Sequence, residues 1–185
     1  GTRTGASGLL GRGLNVQNGA LAEGERILLM NNRGLGALAG GQGSRLELTD
    51  ALMINPEGAG IHIEFLAEAR LERVSLQEHV GAGVSLLDAE ATLLEVRVEH
   101  TLPGDIQQGV GLMIAGNSRV EADRFQLLNN AQTGLALLNG GQINARSGQI
   151  TDNPTALSAP DGGDVLACVA LDGACCGDAC NEPLC

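Results

Sequence analysis

The sequence contains no Trp, no Tyr and no Lys, and only two of its 185 residues are Phe. Its 11 basic residues are outnumbered by 22 acidic residues, which gives a formal net charge of -11. This charge argues against nucleic acid as a partner, because binding to a phosphate backbone requires a basic surface that releases counterions. No apolar run is long enough to cross a bilayer, so no membrane span is expected in this segment.

Glycine is abundant instead, with 28 residues, and many of these glycines are phased. In the first five units a further glycine precedes the phased glycine by two positions, which suits a tight turn into a strand. The phased glycines stand 23, 24, 23, 28 and 23 residues apart and are Gly13, Gly36, Gly60, Gly83, Gly111 and Gly134.

Apolar residues alternate with other residues after each phased glycine, which predicts strands with one buried face. The alternation begins directly after the glycine, as in Ile61 and Ile63, and returns further on, as in Ala69 and Leu71 and then Val74 and Leu76. Three short strands cannot bury an apolar face alone, but stacked units can. We therefore predict an all-β fold: a right-handed parallel β-helix solenoid of about six to seven rungs, with 23 to 24 residues per rung.

A polar residue recurs nineteen positions after the phased glycine in five units. Asn tolerates the left-handed conformation and forms local hydrogen bonds, so it suits a turn at this position. We predict a turn ladder in which the side chains bond from rung to rung, formed by Asn32, Asn55, His79, Asn130 and Asn153.

A longer repeat is also present, because residues 13–36 align with residues 111–134 at an offset of 98. The same offset maps residues 1–12 onto residues 99–110, which form a loop after a predicted strand. Four rungs therefore form one higher repeat, and the first rung is expected to be incomplete. This pattern predicts that the chain is a fragment of a longer β-helix.

The last part of the sequence differs from the rest. We divide the chain into a β-helix of residues 1–157 and a Cys-rich capping tail of residues 158–185. A disulfide-linked cap is the favoured interpretation, with zinc as an alternative that lacks a CxxC pair. Disulfides indicate an extracellular, cell-surface or periplasmic location. The odd number leaves one thiol free, paired between chains or bonded to a partner; the cysteines are Cys168, Cys175, Cys176, Cys180 and Cys185.

The phased glycines, the segment GRGLNVQNGA (residues 11–20) and the LxNN-type turns resemble the pectin-lyase-like superfamily of right-handed β-helices. More closely, they resemble β-helix arrays of uncharacterised surface proteins and lipoproteins from myxobacterial-type bacteria. The resemblance covers residues 1 to about 157. It implies the fold but not the function, because lyases, hydrolases, epimerases, adhesins and inert spacers share this architecture.

Polyuronate lyases of that superfamily bind substrate through Lys/Arg clusters and in many cases hold calcium with acidic residues. The nearest feature here is a column of Glu25, Glu72, Glu95 and Asp123, followed by Arg residues. Glu72 and Glu95 form a candidate weak Ca²⁺ site, and no other cofactor is predicted. The interpretation we favour is a solvated corner where Glu and Arg neutralise one another, with Glu95 in register with Arg73.

Three functional hypotheses follow. The first is a non-catalytic structural or interaction module whose partner is an unknown protein or a cell-surface polysaccharide. The alternative is a polysaccharide-active enzyme or its carbohydrate-binding remnant, with Glu72, Glu95, Arg73 and Arg97 as the site and residues 102–108 as a cleft wall. The third is end-to-end or disulfide-linked self-association. No catalytic residue is predicted, since His62, His79 and His100 are expected to face solvent or form turns and no Ser lies in a GxSxG elbow.

Overall fold

The computed structural model describes residues 11–55, 57–104, 109–160, 164–171 and 174–175, the last two ranges by their backbone. These residues form β-strands and no helix, so they contain no helix that is long and apolar enough to span a membrane. The all-β prediction is therefore confirmed for the described part of the chain.

The strands follow one another at short intervals along the chain. In order they are β1 (Leu14–Gln17), β2 (Leu21–Glu25), β3 (Leu28–Met30), β4 (Leu35–Gly40), β5 (Arg45–Ile54), β6 (Ala59–Glu64), β7 (Glu68–Gln77), β8 (Ala82–Leu87), β9 (Glu90–Leu94), β10 (Arg97–Glu99), β11 (Val110–Ala115), β12 (Arg119–Asp123), β13 (Gln126–Leu128), β14 (Thr133–Leu138), β15 (Gln142–Thr151), β16 (Thr155–Ser158), β17 (Asp164–Leu171) and β18 (Ala174–Cys175).

Strands from successive coils pair in parallel to form two long sheets. One sheet holds seven strands in the order β1-β4-β6-β8-β11-β14-β16, which are the first strands of each coil. The other sheet runs through β2, β5, β7, β9, β12 and β15, with β3, β10 and β13 stacked beside them. This arrangement is a parallel β-solenoid of about six turns, as predicted.

The register follows the phase of the glycines. Ile61 on β6 pairs with Ala37 one coil before it and with Val84 one coil after it. All three side chains are fully buried, in the single cluster that fills the solenoid. Further along each coil, Leu76 pairs with Met53 of the preceding coil and with Val98 of the following coil. The three residues therefore align although they lie 17, 16 and 15 residues after Gly36, Gly60 and Gly83.

The phased glycines are required by close contact between coils rather than by their φ angles. A Cβ on Gly60 would lie 2.1 Å from the carbonyl oxygen of Gly83, and one on Gly13 would lie 2.5 Å from that of Gly36. Real Cβ atoms do not approach a backbone oxygen so closely. Any larger residue would push adjacent coils apart, which explains why glycine recurs at the spacing of the coils.

The parallel pairing continues beyond residue 157, the last residue of the predicted β-helix. Strand β17 pairs with β15 along its length, with one irregularity, up to the pair Ile150 and Leu171. Strand β18 then pairs with β17 in the antiparallel direction. Cys168 lies on β17 and Cys175 on β18, whereas Cys176, Cys180 and Cys185 lie outside the described residues, and the disulfide and zinc hypotheses stay predictions.

Candidate functional site

Each of six coils bends at a residue with left-handed backbone geometry, which lies either between two short strands or within one of the long strands β5, β7 and β15. The registers of the flanking strands place these residues in one column, which we call the charged corner. In five consecutive coils the residue carries a charge, and its sign alternates from coil to coil. With φ between 50° and 54°, the corner residues are Arg26, Asp50, Arg73, Glu95, Arg124 and Ser147.

Ion pairs join neighbouring coils along this corner. Arg73 Nε donates to Asp50 Oδ1 at 2.6 Å, and the same guanidinium also bonds Glu72, which directly precedes it. Arg124 Nη2 lies 3.1 Å from Glu95 Oε1. Because Arg73 donates hydrogen bonds to both carboxylates, it lowers the pKa of Asp50 and the pKa of Glu72, and its own pKa is raised.

The structure separates the two carboxylates of the candidate calcium site by register. Glu72 pairs with Leu94, so Glu95 lies at the next position along the chain, in the charged corner. Glu72 bonds Arg73 and Arg70, while Glu95 contacts Arg124. Among the described residues no group of three or more His, Cys, Asp or Glu side chains is arranged to hold a metal ion. Calcium binding at Glu72 and Glu95 stays a prediction.

Arg97, a further member of the proposed enzymatic site, lines a groove together with Glu95. Arg97 begins β10 in register with Ser75, two positions beyond the corner residue Arg73, and its guanidinium contacts Glu99 at 2.6 Å. The cleft wall suggested for residues 102–108 is described only as far as residue 104.

A buried polar column lies where the third strand ends. The coil that begins at Gly83 has no Asn or His nineteen positions after its glycine. Thr101 occupies the corresponding position in that coil and is fully buried. In five coils the residue that directly precedes the buried polar residue has a left-handed backbone conformation, as His100 and Asn129 do. The predicted ladder residues therefore point into the solenoid; they are Asn32, Asn55, His79, Asn130 and Asn153, all at most 8% exposed.

Bonds between coils are present in the last three members of this column. Asn153 Oδ1 accepts from the backbone N–H and from Nδ2 of Asn130, at 2.8 and 2.9 Å. Asn130 Oδ1 in turn accepts the backbone N–H of Thr101 at 3.2 Å. In the middle of the solenoid, Asn55 Nδ2 instead donates to the carbonyl of Ala59 within its own turn.

His79 differs chemically from the other members of the column. Its side chain is fully buried, and neither imidazole nitrogen makes a hydrogen bond of normal geometry with a described residue. Burial disfavours the charged imidazolium and lowers the pKa of His79 to about 4, although the backbone of Gly58 and Met53 partly opposes this. His79 is therefore a neutral histidine at physiological pH.

A cluster of His62, Ser85 and Glu64 lies on the outer face of the seven-stranded sheet. His62 Nδ1 is 2.6 Å from Ser85 Oγ, and His62 Nε2 is 3.2 Å from Glu64 Oε2. These contacts have the order hydroxyl, imidazole and carboxylate, which is the order found in nucleophilic hydrolases. The sequence motifs do not reveal this cluster, although His62 and Ser85 share the same phase in adjacent coils.

The surroundings of Ser85 do not favour nucleophilic catalysis. The residue is 2% exposed, because His62 and Met113 flank it on the adjacent strands. Strand β8 is paired on both sides, so its backbone N–H groups are used in the sheet and do not form an oxyanion hole. The bond to His62 therefore fits a structural role between coils.

No protein-family model matches the chain, and comparisons with curated proteins and with solved structures return no match. The structure supports the resemblance inferred from the sequence as far as the parallel β-solenoid itself.

Proposed function

We propose that this chain is a non-catalytic structural or interaction module of an extracellular, cell-surface or periplasmic protein. The observation that carries the proposal is that the polar side chains suited to catalysis bond to one another, within a coil or between neighbouring coils. Arg73 bridges Glu72 and Asp50, Arg124 contacts Glu95, and ion pairs of this kind neutralise the groups that an enzyme would direct at a substrate.

The fold supports this role physically. Parallel pairing from coil to coil gives a solenoid whose surface can be varied without changing its core. The inward positions are apolar and buried, whereas the outward positions carry charged side chains. Such a molecule presents turns and sheet faces at regular intervals, which suits spacing or recognition.

The finer assignments belong to the same proposal. A pectin-lyase-like relationship rests on the sequence motifs around residues 11–20, and an oxidising compartment rests on the cysteines after residue 167. The alternative function, a polysaccharide-active enzyme or its binding remnant, rests on Glu72, Glu95, Arg73 and Arg97. It is less well supported because Glu72 and Glu95 already form ion pairs with Arg73 and Arg124.

The two functions are separated by incubating the protein with uronate polysaccharides and measuring unsaturated product by ultraviolet absorbance. We expect no turnover by the native chain, with or without calcium. Turnover that is abolished by Glu72→Ala but retained by Glu23→Ala would overturn the proposal. Glu23 is a suitable control because it is an exposed carboxylate in the first coil, away from the charged corner.

The His62 cluster requires a separate measurement, because lyase assays do not detect ester hydrolysis. We expect no labelling of Ser85 by a fluorophosphonate probe and no hydrolysis of acetylated polysaccharides. Labelling that disappears in Ser85→Ala and in His62→Gln would establish a catalytic serine and contradict the non-catalytic role.

A further inference from the structure

The turn between β6 and β7 has an unusual sequence for its backbone geometry. Phe65 and Leu66 both have left-handed φ angles, of 53° and 64°. The corresponding turns of the first and sixth coils are Asn18–Gly19 and Asn139–Gly140, with positive φ at both residues. Asn-Gly is the dipeptide that favours this geometry, whereas bulky side chains disfavour it.

Both apolar side chains of this turn are exposed to solvent. Phe65 is 55% exposed and Leu66 is 64% exposed, while the other Phe of the chain, Phe125, is fully buried. Exposed apolar side chains contribute little to folding, and the backbone strain reduces stability. The pair is therefore explained better by binding than by folding.

A groove of about 750 Å³ lies beside this turn and is lined by residues of four coils, including Phe65, Leu66, Asp88 and Glu90. Among the described residues that line it, none is basic. Asp88 Oδ1 already accepts the backbone N–H of Asn117 at 2.9 Å, which holds the adjacent turn in place.

The carboxylates of the groove differ in their contacts. Glu68, which lines the groove, bonds Arg45 at 2.5 Å; Arg45 itself is not a lining residue. The Glu90 side chain makes no hydrogen bond or ion pair with the described residues, although Arg119 lies in register with it on the next coil, so its charge is available to a ligand. The groove thus combines two exposed apolar side chains with the carboxylates of Glu68, Asp88 and Glu90 among its lining residues.

We propose that Phe65, Leu66 and the adjacent groove bind an extended segment of a partner protein in which apolar side chains alternate with Arg or Lys. The inference rests on the proposed interaction role of the module. Apolar side chains of the partner pack against Phe65 and Leu66, and its cations approach Glu90 and Asp88.

Other occupants fit the groove less well. A second copy of this chain carries a net charge of -11, so its approach to an acidic groove is repulsive. A sugar would gain from the Phe65 ring, but it would gain little from the aliphatic Leu66. Charge and apolar exposure together favour a cationic and apolar peptide.

The test uses the full chain and a fluorescent, amidated octapeptide of four Arg-Leu repeats, with binding measured by anisotropy. The key variant is Phe65→Asn combined with Leu66→Gly, which installs the Asn-Gly sequence of the first and sixth coils. We expect this variant to bind at least about tenfold more weakly and to unfold at the same or a higher temperature. Its fold is thereby preserved while the apolar pair is removed.

The contribution of charge is tested by Glu90→Gln. We expect this variant to bind the peptide about two- to fivefold more weakly than the native chain. The difference in affinity should disappear at high salt. Glu23→Gln makes the same change of net charge in the first coil and should leave the affinity unchanged. An octapeptide of four Glu-Leu repeats and one of four Arg-Ser repeats should both bind at least about tenfold more weakly than the Arg-Leu peptide.

Several results would overturn the inference. Equal affinity of the native chain and the Asn-Gly variant for the Arg-Leu peptide would do so, as would equal affinity for the Glu-Leu peptide. Calorimetric binding of neutral oligosaccharides that depends on Phe65, or a dimer that dissociates in the Asn-Gly variant, would assign the turn to another ligand. Uronate turnover would instead refute the proposed non-catalytic role, so the two failures are distinguishable.

Discussion

The ring of Phe125 occupies the space that a side chain on Gly148 would require. A Cβ built on Gly148 lies 2.2 Å from Phe125 Cε1 and 2.4 Å from Cζ, although the two residues belong to adjacent coils. Phe125 is 1% exposed, the largest side chain that is fully buried. The largest residue of one coil is thus accommodated by the smallest residue of the next, which keeps the spacing between the coils constant.

Gly148→Ala is expected to lower the free energy of unfolding by about 1–3 kcal/mol, because the added methyl group overlaps the Phe125 ring. Urea denaturation of the variant and of Phe125→Leu measures the two single effects. The double variant should be less destabilised than their sum, with a coupling of about 0.5–3 kcal/mol. Simple additivity of the two changes would show that the contact is not the cause.

His79 is expected to make stability fall on the acidic side of neutrality. The pKa of His79 in the folded state is about 4, below the ordinary histidine value of about 6.5. The unfolded chain therefore binds the proton first, so stability is constant above about pH 6.5 and decreases by about 3 kcal/mol as pH falls toward 4. The measurement is urea denaturation at a series of pH values.

Two variants isolate this effect from the titration of carboxylates. His79→Asn should remove the pH dependence between pH 6.5 and 4, since it places the residue of neighbouring coils in the same column. His100→Asn should leave the pH dependence intact because the His100 side chain is 58% exposed. If the native chain and His79→Asn lost stability in parallel, the buried imidazole would not be responsible.

Arg73→Gln is expected to raise the pKa of Asp50 and the pKa of Glu72 toward their ordinary values. Both are lowered mainly by hydrogen bonds from the Arg73 guanidinium. The lowered pKa values contribute stability above the ordinary carboxylate range, and this stability is lost as pH falls through the folded-state values, below the window of His79. Titration followed by carboxyl NMR provides the measurement, with Arg33→Gln, whose partner is Glu57, as the control.

An unchanged pKa of Asp50 in Arg73→Gln would contradict the ion pair across the coils. In native protein the lowering should also diminish at high salt, because both side chains are about two-fifths exposed.

Calcium is expected to leave the midpoint of thermal unfolding unchanged. A calcium ion shared by Glu72 and Glu95 would have to displace Arg73 and Arg124 from these carboxylates. The test is calorimetric titration together with thermal unfolding with and without calcium. A calcium-dependent rise of the midpoint that is lost in Glu95→Gln would establish the predicted site.

Much of the fold could be predicted because the phased glycines and the alternation of apolar residues with period two both result from the stacking of equal coils. Inward residues of neighbouring coils must align, so the spacing of Ile61 and Val84 already indicates their pairing. The polar column was harder to predict, since Thr101 replaces Asn in the coil that carries the long insertion. Its burial depends on where the preceding left-handed residue directs the side chain, which the spacing does not report.

The sequence by itself determined the coil length, the inward face and the positions of the phased glycines, because equal spacing leaves few ways to bury the apolar residues. Only the tertiary structure decided the partners of the outward groups. The sequence already places Glu95 in register with Arg73, but only the folded corner shows that Arg73 bonds Asp50 and that Arg124 bonds Glu95. Similarly, only the folded turn shows Phe65 and Leu66 exposed beside the groove, because exposure depends on what the adjacent coils leave uncovered.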